Sequence, residues 1–211
     1  MRTKHEIISD PQASAEEVLS LSREDMLNHP NCPHGHWWLA AQESPLTALQ
    51  SPAYALLILE EPGRWEAMES ELVEAWINQT IRATTWDKRQ LFAADCLEHV
   101  LPLFEARVPH DNRVKTAIEV RRKWARFEYP NNQEWERASK NAAALLQEGL
   151  EDPTTIFIVE AASEEEVIDV VTTLVSAVSW SAQPRTAQQA KNDELRWQWR
   201  CLLGYWLGTV R

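Results

Sequence analysis

The amino-acid sequence predicts an all-α protein, an irregular multi-helix bundle whose N-terminal third consists of short, proline-punctuated helices. Apolar residues recur at spacings of three and four through most of the second half of the chain, which is the period of a helix. The 211 residues include only 5 glycines, too few for the many turns of an all-β fold. The 11 tryptophans supply large side chains for a core.

The first part of the chain, residues 1–84, is predicted to be a region of short, repeat-like helices. Residues 1–12 are expected to form a mobile lead-in, and a capping-box pattern then opens a helix over 14–28. Prolines divide residues 28–65 into short apolar pieces, because proline interrupts a helix. A longer helix is predicted from Arg64 to Asn78.

The second part, residues 85–211, is predicted to be a helical domain that packs with the first part as one unit. Its first helix begins after Thr84 or Thr85 and runs to about Arg107. Apolar residues cover most of the circumference of this helix, which indicates burial. Pro102 lies inside the apolar pattern and should kink the helix or mark a break.

The same helix carries a polar face. Asp95, Glu98 and Glu105 recur at three- and four-residue spacing with Pro102 and therefore share one side of the helix. His99 follows Asp95 by four residues, which places the two side chains within reach of each other. These acidic groups need partners on a neighbouring element if the helix is buried.

The next helix, from Arg113 to Glu128, is basic and is expected to supply those partners. Asp111 precedes it as a plausible N-cap. Arg121 lies inside an apolar row of this helix, and a buried arginine needs a carboxylate. Asp95 and Glu98 are therefore expected to face Arg121 or Arg113.

Further helices complete the predicted bundle. One ends at Gly149, a second follows the capping-box pattern Ser163–Glu166 and runs to Trp180, and the last covers residues 187–208. Residues 154–160 are β-branched and could form a strand. A helix is favoured there, because an isolated strand would have no partner.

A cluster of possible metal ligands lies in the N-terminal part. His29, Cys32, His34 and His36 fall within eight residues, and histidine and cysteine are the ligands of zinc. Structural zinc sites join two ligand pairs across a longer loop, and here no second pair follows. The pattern favours a surface loop over a metal site, so we expect neither a metal nor a cofactor.

The charge and the cysteine content restrict the class of protein. The net charge of −11 disfavours binding to nucleic acid, whose affinity for proteins comes largely from basic residues. It suits a basic protein partner, although many proteins are acidic for solubility alone. We expect a cytoplasmic protein without a membrane span. The three cysteines show no pairing pattern, no secretion signal is visible at the start, and no long apolar run occurs.

The most specific pattern lies in residues 86–128. Its acidic helix, its Pro-His-Asp-Asn-Arg turn and its basic helix resemble the immunity proteins of bacterial polymorphic toxin systems, the immunity-five family. The positions that match the immunity pattern are Asp95, Cys96, Glu98, Pro102, Glu105, Asp111, Arg113, Trp124 and Glu128. Phe127 stands where the family pattern has a glycine.

Residues 28–62 show a looser resemblance to the leucine-rich-repeat-variant type of α/3₁₀ repeat. This resemblance implies scaffolding only.

The resemblance to the immunity-five family implies an all-helical protein that binds and neutralises a cognate toxin without catalytic residues. A polar network would then serve as binding surface or as a buried scaffold that fixes the register of the helices. Its members are Asp95, Glu98, His99, Glu105, Asp111, Arg113, Arg121 and Glu128.

Two functions of other classes stay open at this point. A small-ligand-binding protein or an enzyme would use carboxylates beside a histidine for acid–base chemistry. That site would consist of Asp95, Glu98, His99, Asp111 and Arg113. A helical adaptor would instead bind through the repeat-like layer of residues 28–65. The sequence determines neither the oligomeric state nor the identity of a toxin.

Overall fold

The fold is known from a computed structural model that describes residues 2–9, 17, 20, 74, 77, 78, 80–82, 84–128 and 132–207. These residues form seven helices and no strand, which confirms the all-α prediction. None of the described helices is both long enough and apolar enough to cross a membrane. The chain divides into two compact units, one of Met1–Gln79 with Trp206–Arg211 and one of Thr80–Tyr205.

The first unit begins with a short helix, α1 (Lys4–Ser9), within residues 1–12, for which a mobile lead-in was predicted. Thr3 and Glu6 form a capping box at the start of this helix. The Thr3 backbone N–H donates to Oε2 of Glu6 at 2.7 Å, and the Glu6 N–H donates to Oγ1 of Thr3 at 3.3 Å. The helix predicted over 14–28, the proline-punctuated pieces of 28–65 and most of the helix predicted over 64–78 lie outside the described residues.

The second unit is built from six helices, which are α2 (Trp86–Glu105), α3 (Arg113–Ala125), α4 (Gln133–Gln147), α5 (Pro153–Ser163), α6 (Val167–Ser181) and α7 (Ala187–Leu207). The helix α2 packs against α3, α5 and α6. The helix α4 packs against α3 and α5, and α5 packs against α6. The last helix, α7, reaches α2 and α6 through side-chain hydrogen bonds.

The central helix of this unit is α2. Thr85 is its N-cap, with extended backbone, and its buried row includes Phe92, Cys96 and Phe104. The helix passes through Pro102 and continues to Glu105, so the alternative of a break at this proline was wrong. Proline has no N–H, so Pro102 cannot donate to the carbonyl oxygen of Glu98, four residues earlier. Pro102 lies in the last turn, and the helix ends three residues later.

The β-branched stretch that could have been a strand lies in α5. Asp152 precedes this helix and accepts a hydrogen bond from the Thr155 N–H at 2.9 Å, while Pro153 occupies the first helical position. Both are strong signals for a helix start. The helix favoured for residues 154–160 is confirmed, and local capping outweighs the weak strand propensity of the β-branched side chains.

The capping box predicted before α6 is absent. Ser163 still belongs to α5, and its hydroxyl donates to the Val159 carbonyl oxygen at 2.8 Å. The residue that caps α6 is Glu166, whose side chain makes no capping hydrogen bond. A serine at the end of a helix satisfies its hydroxyl four residues back, which removes it from the cap of the next helix.

Candidate functional site

Asp95, on α2, joins three helices through its carboxylate. Its Oδ1 accepts a hydrogen bond at 2.6 Å from Nη2 of Arg122 on α3. Its Oδ2 accepts one at 2.5 Å from the hydroxyl of Tyr205 on α7. Nη2 of Arg122 also donates to Oε2 of Glu98 at 2.5 Å. Hydrogen bonds to a charged group are the stronger class, so this group ties α2, α3 and α7 together.

The arginine that meets these acids is Arg122, and the expectation of Arg121 or Arg113 was wrong. Adjacent residues of a helix point about 100° apart, so the step from Arg121 to Arg122 moves the side chain from the core to the polar face of α2. Hydrogen bonds to Glu98 and Asp95 raise the pKa of Arg122. The same contact with Arg122 lowers the pKa of Glu98.

Arg121 is fully buried and has no carboxylate partner among the described residues. Its Nη1 donates to Oε1 of Gln90 at 2.9 Å, and its Nη2 donates to the backbone oxygen of Glu164. Its guanidinium carbon lies 4.3 Å from the centre of the Trp135 ring, a cation–π contact. Burial lowers the pKa of Arg121 to about 9, which leaves the side chain charged at neutral pH.

Arg113 connects the turn before α3 to the end of α4. Its Nε donates to Oδ2 of Asp111 at 2.9 Å, and its Nη1 and Nη2 donate to the two carboxylate oxygens of Glu148 at 2.6 and 2.7 Å. The Arg113 guanidinium lowers the pKa of Asp111 and of Glu148. Asp111 also accepts the Arg113 backbone N–H at 2.9 Å, although the N-cap position itself is Asn112. No local pattern indicates Glu148 as a partner, because it lies 35 residues away.

His99 turns towards α7. Its Nε2 lies 3.4 Å from Oε2 of Glu194, and its ring stacks on Trp197 with 3.8 Å between centroids. The buried Glu194 also accepts a hydrogen bond from Nε2 of Gln198 at 3.0 Å. The expected contact was with Asp95, but the partners of this histidine lie almost 100 residues later in the chain. Sequence spacing alone offers no signal for such a pair.

Two thiols lie in the same region, Cys96 on α2 and Cys201 on α7. Burial raises the pKa of Cys96 well above its ordinary value and raises the pKa of Cys201 to about 12. Both side chains are therefore protonated at neutral pH. A protonated thiol is a weak nucleophile and a weak metal ligand, so these cysteines act as packing residues.

The remaining residues of the predicted sites lie either on the surface or outside the described residues. Glu105 and Glu128 are exposed, and neither carboxylate pairs with another described residue. The possible metal ligands His29, Cys32, His34 and His36 lie outside the described residues. Within the described part of the chain no group of three His, Cys, Asp or Glu side chains is arranged to hold a metal ion.

The end of α3 has an unusual backbone. Glu128 donates its N–H to the Lys123 carbonyl at 3.0 Å, and Phe127 donates to the Trp124 carbonyl at 3.0 Å, the two bonds of a Schellman motif. Phe127 takes the left-handed position of this motif, with φ of 57°, which glycine normally occupies. The helix was predicted to continue to Glu128 and ends three residues earlier because of this turn.

Phe127 is the outer end of a row of aromatic rings. Its ring lies 5.6 Å from that of Trp86, which meets Trp124 edge-on at 4.6 Å. Trp124 stacks on Trp135 with 5.5 Å between ring centroids, and the Arg121 guanidinium lies over the Trp135 ring. The rings connect an exposed phenylalanine to the buried arginine through continuous contact.

The structure thus divides the sequence-derived network into separate polar groups. Asp95 and Glu98 meet at Arg122, Asp111 and Glu148 meet at Arg113, and His99 meets Glu194. The first group joins α2 to α3, the second joins α3 to the end of α4, and the third joins α2 to α7. Each of these side chains therefore already has a partner within the protein.

The described helices form an all-α bundle whose neighbouring helices are joined by ion pairs. A family model described as "Imm-5 like putative immunity protein" matches residues 79–201, which is more than half of the chain. The chain belongs to this immunity-five-like family. No curated protein and no solved structure matches it.

Proposed function

We propose that this protein is a non-catalytic binding module that neutralises a cognate bacterial toxin by forming a complex with it in the cytoplasm. The observation that carries the proposal is the membership of residues 79–201 in an immunity-protein family. An immunity protein of this kind covers the toxin's active surface and needs no reactive group of its own.

The geometry of the polar groups supports a binding role. An enzyme that used Asp95 and Arg113 would need them within reach of one substrate, but each is engaged in its own ion pair. The thiols of Cys96 and Cys201 are protonated, and the carboxylate beside His99 also accepts a hydrogen bond from Gln198. These contacts favour a rigid scaffold, whose surface meets the partner.

The charge of the chain supports a basic partner. A net charge of −11 speeds the encounter with a positively charged protein and orients it. Toxins that cleave nucleic acid have basic surfaces, because they bind phosphates. A nuclease-type toxin is therefore the partner that the charge favours.

Co-expression tests the proposal. A toxin gene adjacent to this chain's gene is placed under an inducible promoter in a bacterial host, with and without this chain. We expect the host to survive induction only when this chain is present, and the two proteins to copurify. A toxin from an unrelated system serves as the control, against which no protection is expected. Death of the host in both arms with the adjacent toxin, together with no copurification, contradicts the proposal.

A further inference from the structure

Phe127 combines two features that the fold itself does not require. Its side chain is 73% exposed, and its φ of 57° lies in the left-handed region, where a side chain is strained. The only described ring that it contacts is Trp86. A glycine would make the same helix end without strain and without exposing an aromatic ring. Backbone strain at an exposed residue is typical of a binding site.

Phe127 lies at the end of a row of aromatic rings that contact one another. Trp86, Trp124 and Trp135 support it in a continuous row that ends on the buried Arg121. An aromatic side chain that is already held in place loses little entropy when a partner covers it. Aromatic residues on such a base are frequent energetic centres of protein interfaces.

The row of rings leads to an acidic turn. Arg121 holds the backbone oxygen of Glu164, and Nε2 of Gln90 donates to the backbone oxygen of Glu165 at 3.3 Å. The side chains of Glu164, Glu165 and Glu166 are all exposed at this turn between α5 and α6. Residues 141–184 contain no lysine, arginine or histidine, so no cation of this segment offsets them.

We propose that Phe127 is the central anchor of the interface with a basic protein, and that the Glu164–Glu166 turn attracts this partner electrostatically. The partner is the toxin of the proposed function, on which this inference rests. Lys123 and Arg126 are also exposed close to Phe127 and would repel a basic partner. The attraction therefore comes from the Glu164–Glu166 turn between α5 and α6. An apolar anchor gives affinity, and an acidic segment speeds the association of a basic partner.

The decisive variant is Phe127→Gly, because it separates binding from stability. Glycine relieves the left-handed strain while it removes the ring, so the melting temperature should stay within a few degrees of the wild type. The probe is the purified, catalytically inactivated toxin from the adjacent gene, titrated by calorimetry. We expect the Kd to rise about tenfold or more. Trp180→Ala is the matched control, since Trp180 is also 63% exposed, and its Kd should change less than about twofold.

A second pair of variants tests the acidic turn. The triple change Glu164→Gln, Glu165→Gln and Glu166→Gln should slow association several-fold at low salt, with little effect at high salt. The control removes the same charge at three other exposed positions, Glu105, Glu119 and Glu151, and should slow association less. Equal effects of the two triple variants would assign the attraction to net charge and overturn this part of the inference.

The outcomes distinguish this inference from the proposed function. If the wild type binds the toxin and Phe127→Gly binds it equally well, the inference is wrong and the proposed function stands. If the wild type itself does not bind, the proposed function and the inference both fail.

Discussion

The hydroxyl of Tyr205 donates a 2.5 Å hydrogen bond to Oδ2 of Asp95, across 110 residues of sequence. This bond joins the last helix of the Thr80–Tyr205 unit to its central helix, at the same carboxylate that receives Arg122. Burial and the hydrogen bond to Asp95 both raise the pKa of Tyr205. We therefore expect substitutions at this contact to lower the stability of the fold.

Tyr205→Phe removes the hydroxyl and keeps the ring that packs against Phe92. We expect the free energy of unfolding to fall by about 1–2 kcal/mol, because a hydrogen bond to a charged group is lost while Arg122 still pairs with Asp95. Urea unfolding followed by circular dichroism measures the change. A urea midpoint equal to that of the wild type would show that the Tyr205 hydroxyl contributes nothing to the free energy of unfolding.

Asp95→Ala removes the partner of both Arg122 and Tyr205 and should lower the melting temperature by several degrees. Glu98→Ala is the matched control. Glu98 is more exposed and Arg122 keeps Asp95 in that variant, so a smaller decrease is expected. Should Asp95→Ala keep its melting temperature but lose the toxin, this residue would belong to the binding surface instead of the scaffold.

Arg121 can be replaced in two ways that separate its charge from its shape. Arg121→Lys keeps the charge but cannot reach Gln90 and the Glu164 carbonyl together while it covers Trp135. We expect Arg121→Lys to lower the free energy of unfolding by about 3 kcal/mol, because a buried charge would lose its hydrogen-bond partners. Arg121→Met removes the charge and fills similar space, so it should lose less. Thermal unfolding of both variants checks the order, and a more stable lysine variant would contradict it.

The ion pair of Asp111 with Arg113 predicts a dependence on pH. The pKa of Asp111 is lowered in the folded state, so its contribution to stability is complete above the unfolded pKa of about 4 and is lost as the pH falls through the folded value. Asp111→Asn should therefore be less stable than the wild type by about 1 kcal/mol at pH 7. The difference between the two proteins should narrow as the pH falls below about 4. Urea titrations at pH 7, 5, 4 and 3 measure this, and a gap that does not depend on pH would exclude the ion pair as its cause.

The helices of the second unit follow from the sequence because their signals are local. Apolar spacing marks α2, and the glycine that ends α4 has a φ of 87°, which few other residues adopt. The left-handed Phe127 was not predictable in the same way, since a phenylalanine in a helical pattern normally continues the helix. Ser163 was misassigned because the pattern of a cap does not reveal that the preceding helix already uses the serine.

The partners within the candidate site were less predictable than the helices. An acidic helix opposite a basic helix was readable from the sequence, although Glu98 and Glu105 on its polar face are exposed. The choice between Arg121 and Arg122 depends on a rotation of one residue about the axis of α3. Glu148 and Glu194 meet Arg113 and His99 only because the helices pack together in the fold. Such pairs depend on tertiary packing, and local spacing contains no information about it.

Neutralisation can be measured as the activity of the adjacent toxin in vitro while this purified chain is added in increasing amounts. If the chain neutralises the toxin by forming a complex, activity should fall in proportion to the added chain and be abolished near equimolar amounts. A toxin that stays fully active in the presence of a large excess of folded chain would show that the chain does not neutralise it.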